Sequence, residues 1–387
     1  MFEKLENIAP IIENAIEDNA FTGCNVAVVS QNDTVYSRSF GLADKEKNIP
    51  MTEDKIFRLF SLSKPVTAAA AMILLERGKI ELRYPIKWFL PTFEAPKVLD
   101  ENGERPAERD ITIGDLLSMT SGIPYPEGTP SGQAMGELWG KQSYNYENGG
   151  ELYNTYDFAL EMGKRPLSFT PGEKWMYGAS ADIMGAVIEA VSGMKFSEFL
   201  KKEIFEPLGM KDTGFYIPED KYSRLAQVYD RTVTGNVPFT EHNLCTTDYR
   251  KPPAFESGGA GLVSTIGDYS NFVKMLINDG TFGNVNIIGR KTAQLMRMNF
   301  LNTAQMNSLG WDSMIGHGYG SFMRVLTSPT QAGLNASAGS FGWDGWLGCY
   351  FCIDPVEKLG FLYFIQQTNS GCTDITRKVQ NIVWSAI

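Results

Sequence analysis

Apolar positions at Phe2, Leu5, Ile8, Ile12, Ala15 and Ile16 recur every three or four residues, and the pattern stops before Asp18-Asn19. That period is one face of an α-helix, so the spacing predicts a helix over residues 2–17, with Pro10 as a candidate kink. The period then changes. Residues 24–30 (CNVAVVS) and 34–40 (TVYSRSF) are β-branched and aromatic runs around Gln31-Asn32-Asp33, which reads as two strands joined by a hairpin turn. Near the other end, residues 348–353 (GCYFCI) and 359–366 (LGFLYFIQ) form a second such pair around Asp354-Pro355. Ile375, Val379, Ile382, Val383 and Ala386 then mark one face of a closing helix. Helix and strands at both ends predict an α/β (α+β) protein in which the two ends of the chain meet in one antiparallel sheet flanked by helices. The middle carries helical patches joined by loops rich in Gly, Pro and Tyr, such as residues 125–130 and 144–150. It reads as a mainly helical domain, residues 83–229, inserted into a discontinuous sheet domain of residues 1–82 and 230–387.

Composition narrows the function. The chain has 387 residues, 43% hydrophobic and 21% charged, which allows two lobes and a large core. A formal net charge of −10 without any basic run opposes binding to a polyanion, so no nucleic-acid partner is expected. The longest apolar run, residues 68–75, is far short of the roughly 20 residues of a membrane span. Acidic residues occupy the N-terminus where an export signal has a basic start, which predicts a cytoplasmic protein, or a periplasmic or secreted one if a leader has been trimmed. The five cysteines, Cys24, Cys245, Cys349, Cys352 and Cys372, lack metal-ligand spacing, and there are two histidines, so free thiols, no metal and no cofactor are expected.

Candidate chemistry begins at residues 60–78, FSLSKPVTAAAAMILLERG. Pro65 is tolerated in a first helical turn, which sets the helix start near Ser61, and Gly78 supplies the stop. At an i, i+3 spacing Ser61 and Lys64 share a face, and the helix N-terminus directs free N–H groups towards them. A serine hydroxyl needs an adjacent base, and a lysine serves as one when desolvation lowers its pKa. The same residues also fit a plain N-cap serine followed by a solvated lysine. A histidine-based alternative would need His242 or His317, but no G-x-S-x-G elbow is present, so both histidines read as structural.

Further segments accompany S-x-x-K in order: residues 112–123 (TIGDLLSMTSGI), 175–193 (WMYGASADIMGAVIEAVSG), 205–215 (FEPLGMKDTGF), 257–272 (SGGAGLVSTIGDYSNF) and 341–355 (FGWDGWLGCYFCIDP). Together they resemble the serine β-lactamase and penicillin-binding protein superfamily, from about residue 20 to the C-terminus. The resemblance implies the β-lactamase/transpeptidase-like fold. It makes Ser61 the acylated nucleophile, Lys64 its base or proton relay and Tyr177 the third member, sharing a proton with Lys64. It places the oxyanion hole at Ser61 N and Trp346 N. Two departures bear on the substrate. Tyr177-Gly178-Ala179 replaces Tyr-x-Asn, and Trp343-Asp344-Gly345 replaces Lys-Thr-Gly, which removes the cation that pairs with a β-lactam carboxylate. The chain therefore looks closest to the family VIII carboxylesterases and related acyltransferases; Asp182 keeps that branch's aspartate, while Gly178 and Ser180 depart from its pattern.

The expected activity is that of a serine hydrolase, a carboxylesterase on short or medium acyl esters, with Tyr125, Trp343, Asp344 and Gly345 lining the substrate site. A β-lactamase or a D-amino-acid amidase or peptidase would use the same acyl-enzyme chemistry on an amide. A penicillin-binding-like module that does not turn over is the alternative outside catalysis.

Overall fold

The structure is a computed structural model that describes residues 2–241, 243–245 and 248–387; His242 lies outside them. β1 (Gly23–Ser30) and β2 (Thr34–Asp44) form the expected hairpin, and β2 continues past Phe40 to pair with a two-residue strand, β3 (Ile49–Pro50). β4 (His317–Tyr319), β5 (Arg324–Leu326) and β6 (Phe341–Asp344) lead into the C-terminal pair, β7 (Tyr350–Asp354) and β8 (Leu359–Phe364). β8 lies antiparallel to β1 with Val28 opposite Phe361, so the two ends of the chain do meet. The sheet order is β4-β5-β6-β7-β8-β1-β2-β3, with every neighbouring pair antiparallel.

Both faces of this sheet are covered, and the alternation along β1 shows it. Ala27 and Val29 enter one core cluster, while Cys24, Val26 and Val28 enter another, as the two-residue period of a strand requires. The second cluster is closed by α1 (Ile8–Glu17) together with the C-terminal helix of residues 374–385. The predicted helix over 2–17 begins as a 3-10 segment, Phe2–Asn7, and becomes α-helical at Ile8. Pro10 is then the third residue of α1, where its missing N–H would have had no intrahelical partner, so it marks the start of the helix and no kink is needed.

α2 (Ser63–Glu76) is buried from Ser63 through Leu74, as expected of a helix that is apolar on all sides. Its predicted start near Ser61 resolves into a 3-10 turn, Phe60–Leu62, with Leu62 as the N-cap of α2. Ser61 is therefore no cap. Gly78 ends the helix with φ +62°, its N–H donating to Leu75 O at 3.0 Å, as in a C-terminal turn. The middle of the chain contributes α3 (Pro130–Asn148), α4 (Thr155–Met162) and α5 (Ser180–Ser192), and α5 packs against α2. Here one expectation is corrected: residues 144–148 belong to α3 and not to a loop. Thr129 caps that helix by accepting from Gly132 N, Pro130 occupies its first position, and Gly149 closes it in the left-handed conformation. α6 (Ile266–Ile277) covers the sheet face opposite α1, and the C-terminal helix, α7 (Asp374–Ser385), carries a capping box at Thr373. Among the described residues no helix is long and apolar enough to cross a membrane.

Candidate active site

Ser61 sits at the junction of the sheet with α2. The preceding residue, Phe60, has φ +46°, an uncommon conformation for a bulky side chain, and it turns the chain sharply before the nucleophile candidate. Three residues later Lys64 is fully buried, which removes the reading of a solvated first-turn lysine. Its Nζ lies 3.2 Å from Ser61 Oγ, 3.1 Å from Tyr125 Oη and 2.9 Å from Gly259 O. Burial pushes the ammonium down to about 7, while the carboxylate of Asp182 acts in the opposite direction.

Tyr177 precedes α5 and comes to the same place. Its hydroxyl accepts a hydrogen bond from Trp343 Nε1 at 3.2 Å. Burial drives the phenol upward, and hydrogen bonding with Ser61 and Trp343 opposes that rise. The proton sharing expected between Lys64 and Tyr177 takes another form: Lys64 Nζ lies over the Tyr177 ring, 4.5 Å from its centroid, and the phenol within its hydrogen-bond reach is Tyr125. Tyr125 Oη in turn lies 3.2 Å from Asp182 Oδ2, and Asp182 Oδ1 accepts from Ser257 Oγ at 2.5 Å and from Gly259 N at 3.1 Å. Tyr125, expected at the substrate, is thus tied to the lysine. Asp182 entered the sequence reading only as part of a family pattern, and its position five residues after Tyr177, in the first turn of α5, was the available signal.

The strand β6 borders this cluster. Trp343 is buried behind Tyr177. Asp344 forms an ion pair with the buried Arg324, whose guanidinium also lies 4.7 Å from the Trp343 ring centroid. The carboxylate that replaces the family threonine is therefore already partnered. Gly345 lies so close to the 3-10 turn that a Cβ there would stand 2.2 Å from Leu59 O and 3.6 Å from Ser61 N. Trp346 packs its ring on Phe60, with centroids 5.2 Å apart, and donates from Nε1 to Asn369 Oδ1 at 2.8 Å. A similar close approach accounts for Gly178, where a Cβ would meet Ile123 O at 2.0 Å, leaving no room for the serine of the esterase pattern.

Trp311, 44% exposed, stands with its ring centroid 5.0 Å from Tyr177, a neighbour the sequence did not reveal. A cavity of about 200 Å³ beside Trp346 is of mixed character, lined by Phe60, Val228, Phe239 and Leu347 but also by Arg58, Glu241 and Asp248. His317 lies on β4 with Nδ1 2.9 Å from Ile315 O, and burial together with nearby Arg324 pushes it down to about 4, so it is neutral near pH 7. Among the described residues no three histidine, cysteine, aspartate or glutamate side chains converge as a metal-binding group. The arrangement offers a hydroxyl, a poised amine and a neutral phenol around one point, the requirements of nucleophilic acyl transfer.

Comparison with known proteins agrees with that geometry. The family model described as Beta-lactamase matches residues 8–380. Esterase EstB of Burkholderia gladioli is 29% identical over 380 residues, covering 93% of this chain and 90% of that protein. Lovastatin esterase of Penicillium rubens is 31% identical over 385 residues, covering 92% and 89%. Among solved structures, EstCE1, described as a hydrolase with promiscuous acyltransferase activity, superposes with a TM-score of 0.83 at 25% identity, covering 99% of both chains.

Proposed function

The chain belongs to the β-lactamase family, and from that premise we propose that it is a carboxylesterase that forms an acyl-enzyme on Ser61. The observation that carries the proposal is the buried Lys64 amine, lowered to about 7 and 3.2 Å from Ser61 Oγ. Near neutral pH an appreciable share of it is unprotonated, with a lone pair available to the serine proton.

Lys64 takes the Ser61 proton as Oγ bonds to the ester carbonyl carbon. The oxyanion that forms is held by Ser61 N and Trp346 N, where one donor contributes on the order of 10²–10³ in rate. Collapse expels the alcohol, which leaves with the proton held on Lys64, while the neutral Tyr177 O–H hydrogen-bonds the departing oxygen. Water then gives a proton to Lys64, attacks the acyl carbon and releases the acid, and the proton returns to Ser61. An ester is favoured because Trp343 stands in the place of the family lysine that pairs with a β-lactam carboxylate, and the guanidinium of the buried Arg324 beside it is already paired with Asp344. The half-exposed Trp311 ring beside Tyr177 offers apolar surface to an uncharged acyl or alcohol group. The esterase names of the two relatives point the same way.

Release of p-nitrophenol from p-nitrophenyl butyrate tests this reading. The wild type is expected to turn over, and Ser61→Ala to lose about a thousandfold or more. Equal rates in both would contradict it. Faster turnover of a chromogenic cephalosporin than of the ester would favour a β-lactamase, and stoichiometric labelling by a fluorophosphonate without turnover of any ester would favour the non-catalytic module.

A further inference from the structure

The buried contacts of Lys64 go further than the Ser-Lys-Tyr arrangement needs, and their hydrogen-bond directions can be worked out. Gly259 O can only accept, so it takes one Lys64 N–H at 2.9 Å. Tyr125 Oη has one proton and two neighbours, Lys64 Nζ at 3.1 Å and Asp182 Oδ2 at 3.2 Å. Burial raises the Asp182 carboxyl, while its Oδ1 accepts from Ser257 Oγ and Gly259 N, hydrogen bonds that favour the carboxylate. The phenol therefore donates to Asp182 and offers its oxygen lone pairs to Lys64. A neutral amine has two N–H groups and one lone pair. With both N–H groups engaged by Gly259 O and Tyr125 Oη, the lone pair is left for the third neighbour, Ser61 Oγ at 3.2 Å.

We infer that Tyr125 and Asp182 are positioning residues that fix the protons of Lys64 so that its lone pair faces Ser61. This rests on the reading of Ser61 as nucleophile and Lys64 as base, and it adds two side chains from distant parts of the chain to that pair. The backbone is shaped to the same end: a Cβ on Gly259 would stand 2.6 Å from Tyr125 Oη and 2.7 Å from Asp182 Oδ2, so only glycine lets the loop close over both. The groups facing Lys64 are Ser61 from its own segment, Tyr125 from the loop before α3, Tyr177 and Asp182 around α5, and Gly259 from the glycine-rich turn; of these, Asp182 is the carboxylate that acts on its charge.

The test is the rate of Ser61 labelling by a fluorophosphonate as a function of pH, which reads serine reactivity without depending on the choice of ester. The wild-type rate is expected to rise through an acid limb near pH 7 to a plateau. In Tyr125→Phe the ammonium loses a hydrogen-bond acceptor, and in Asp182→Asn it loses a nearby negative charge. Both losses disfavour the charged amine, so the limb moves to lower pH. The plateau in both variants is expected to fall about tenfold or more, because the amine is no longer held in one orientation. Thermal melts of the two variants accompany the rates. A plateau and limb unchanged in Tyr125→Phe would overturn the inference. So would a lowered plateau with an unmoved limb in folded protein, since loss of packing alone lowers the rate and leaves the limb in place. If Asp182→Asn fails to fold, Tyr125→Phe, which keeps the ring, decides. A wild type that takes no label would overturn the nucleophile reading itself, and this inference with it.

Discussion

Lys64 is the residue on which chemistry and stability conflict. An unfolded lysine takes up its proton below about pH 10.4, whereas the folded one remains neutral until about 7. Between those values the unfolded chain binds a proton that the native chain does not, so Lys64 destabilises the fold progressively as pH falls from about 10.4 to about 7. Below that both states are charged and the penalty is constant. The interval corresponds to about 5 kcal/mol at full effect. Lys64→Met removes the titration. Its stability relative to wild type, measured by denaturant melts, is expected to improve by a few kcal/mol between pH 10 and pH 7, while fluorophosphonate labelling is lost. Parallel stability–pH curves for the two proteins would show that the amine is not held neutral by burial. The natural chain keeps the lysine despite this penalty, which fits a group retained for reaction.

At the scale of elements, the site depends on how closely β6 and the turn after it approach the 3-10 turn that carries Ser61. Gly345 is the contact point, with Leu59 O only 2.2 Å from where a Cβ would stand. Gly345→Ala must push the two segments apart. Overpacking of this kind typically costs about 1–3 kcal/mol, and a shift at Trp346 N, the oxyanion donor proposed above, lowers acylation strongly. The expected result is a lower melting temperature together with a fall in p-nitrophenyl butyrate turnover of about 10²; wild-type turnover in this variant would separate Trp346 N from the reaction. The elements also show what sequence could and could not reveal. The β1–β2 hairpin and the β7–β8 pair were legible because each is a local run of β-branched and aromatic residues broken by turn residues. Ser61 and Lys64 were legible because their relation spans three residues. β4 and β5 were not, since each has three residues and too short an alternation to register. The end of α3 was misread because Tyr, Asn and Gly near residues 144–150 suggest a loop, while the Thr129 cap and the packing of Leu138, Trp139 and Gln142 sustain the helix. The link from Tyr125 to Lys64 and Asp182 crosses 61 and 57 positions, and no periodicity or spacing encodes it.

Across the whole molecule, the two ends of the chain supply the sheet and the middle supplies Tyr125, Tyr177 and Asp182, so the cluster forms only when the distant segments have assembled. β6 brings Trp343 to Tyr177, α2 brings Lys64 to Ser61, and the turn at residues 257–261 closes over Lys64 and Asp182. The central claim is that this assembly carries an acyl group on one hydroxyl. Its most direct test is acid quenching during turnover of p-nitrophenyl butyrate, followed by peptide mass mapping. A butyryl group on Ser61, absent from Ser61→Ala treated in the same way, is the predicted result. Continued turnover with the butyryl group on another residue, and none on Ser61, would contradict the account.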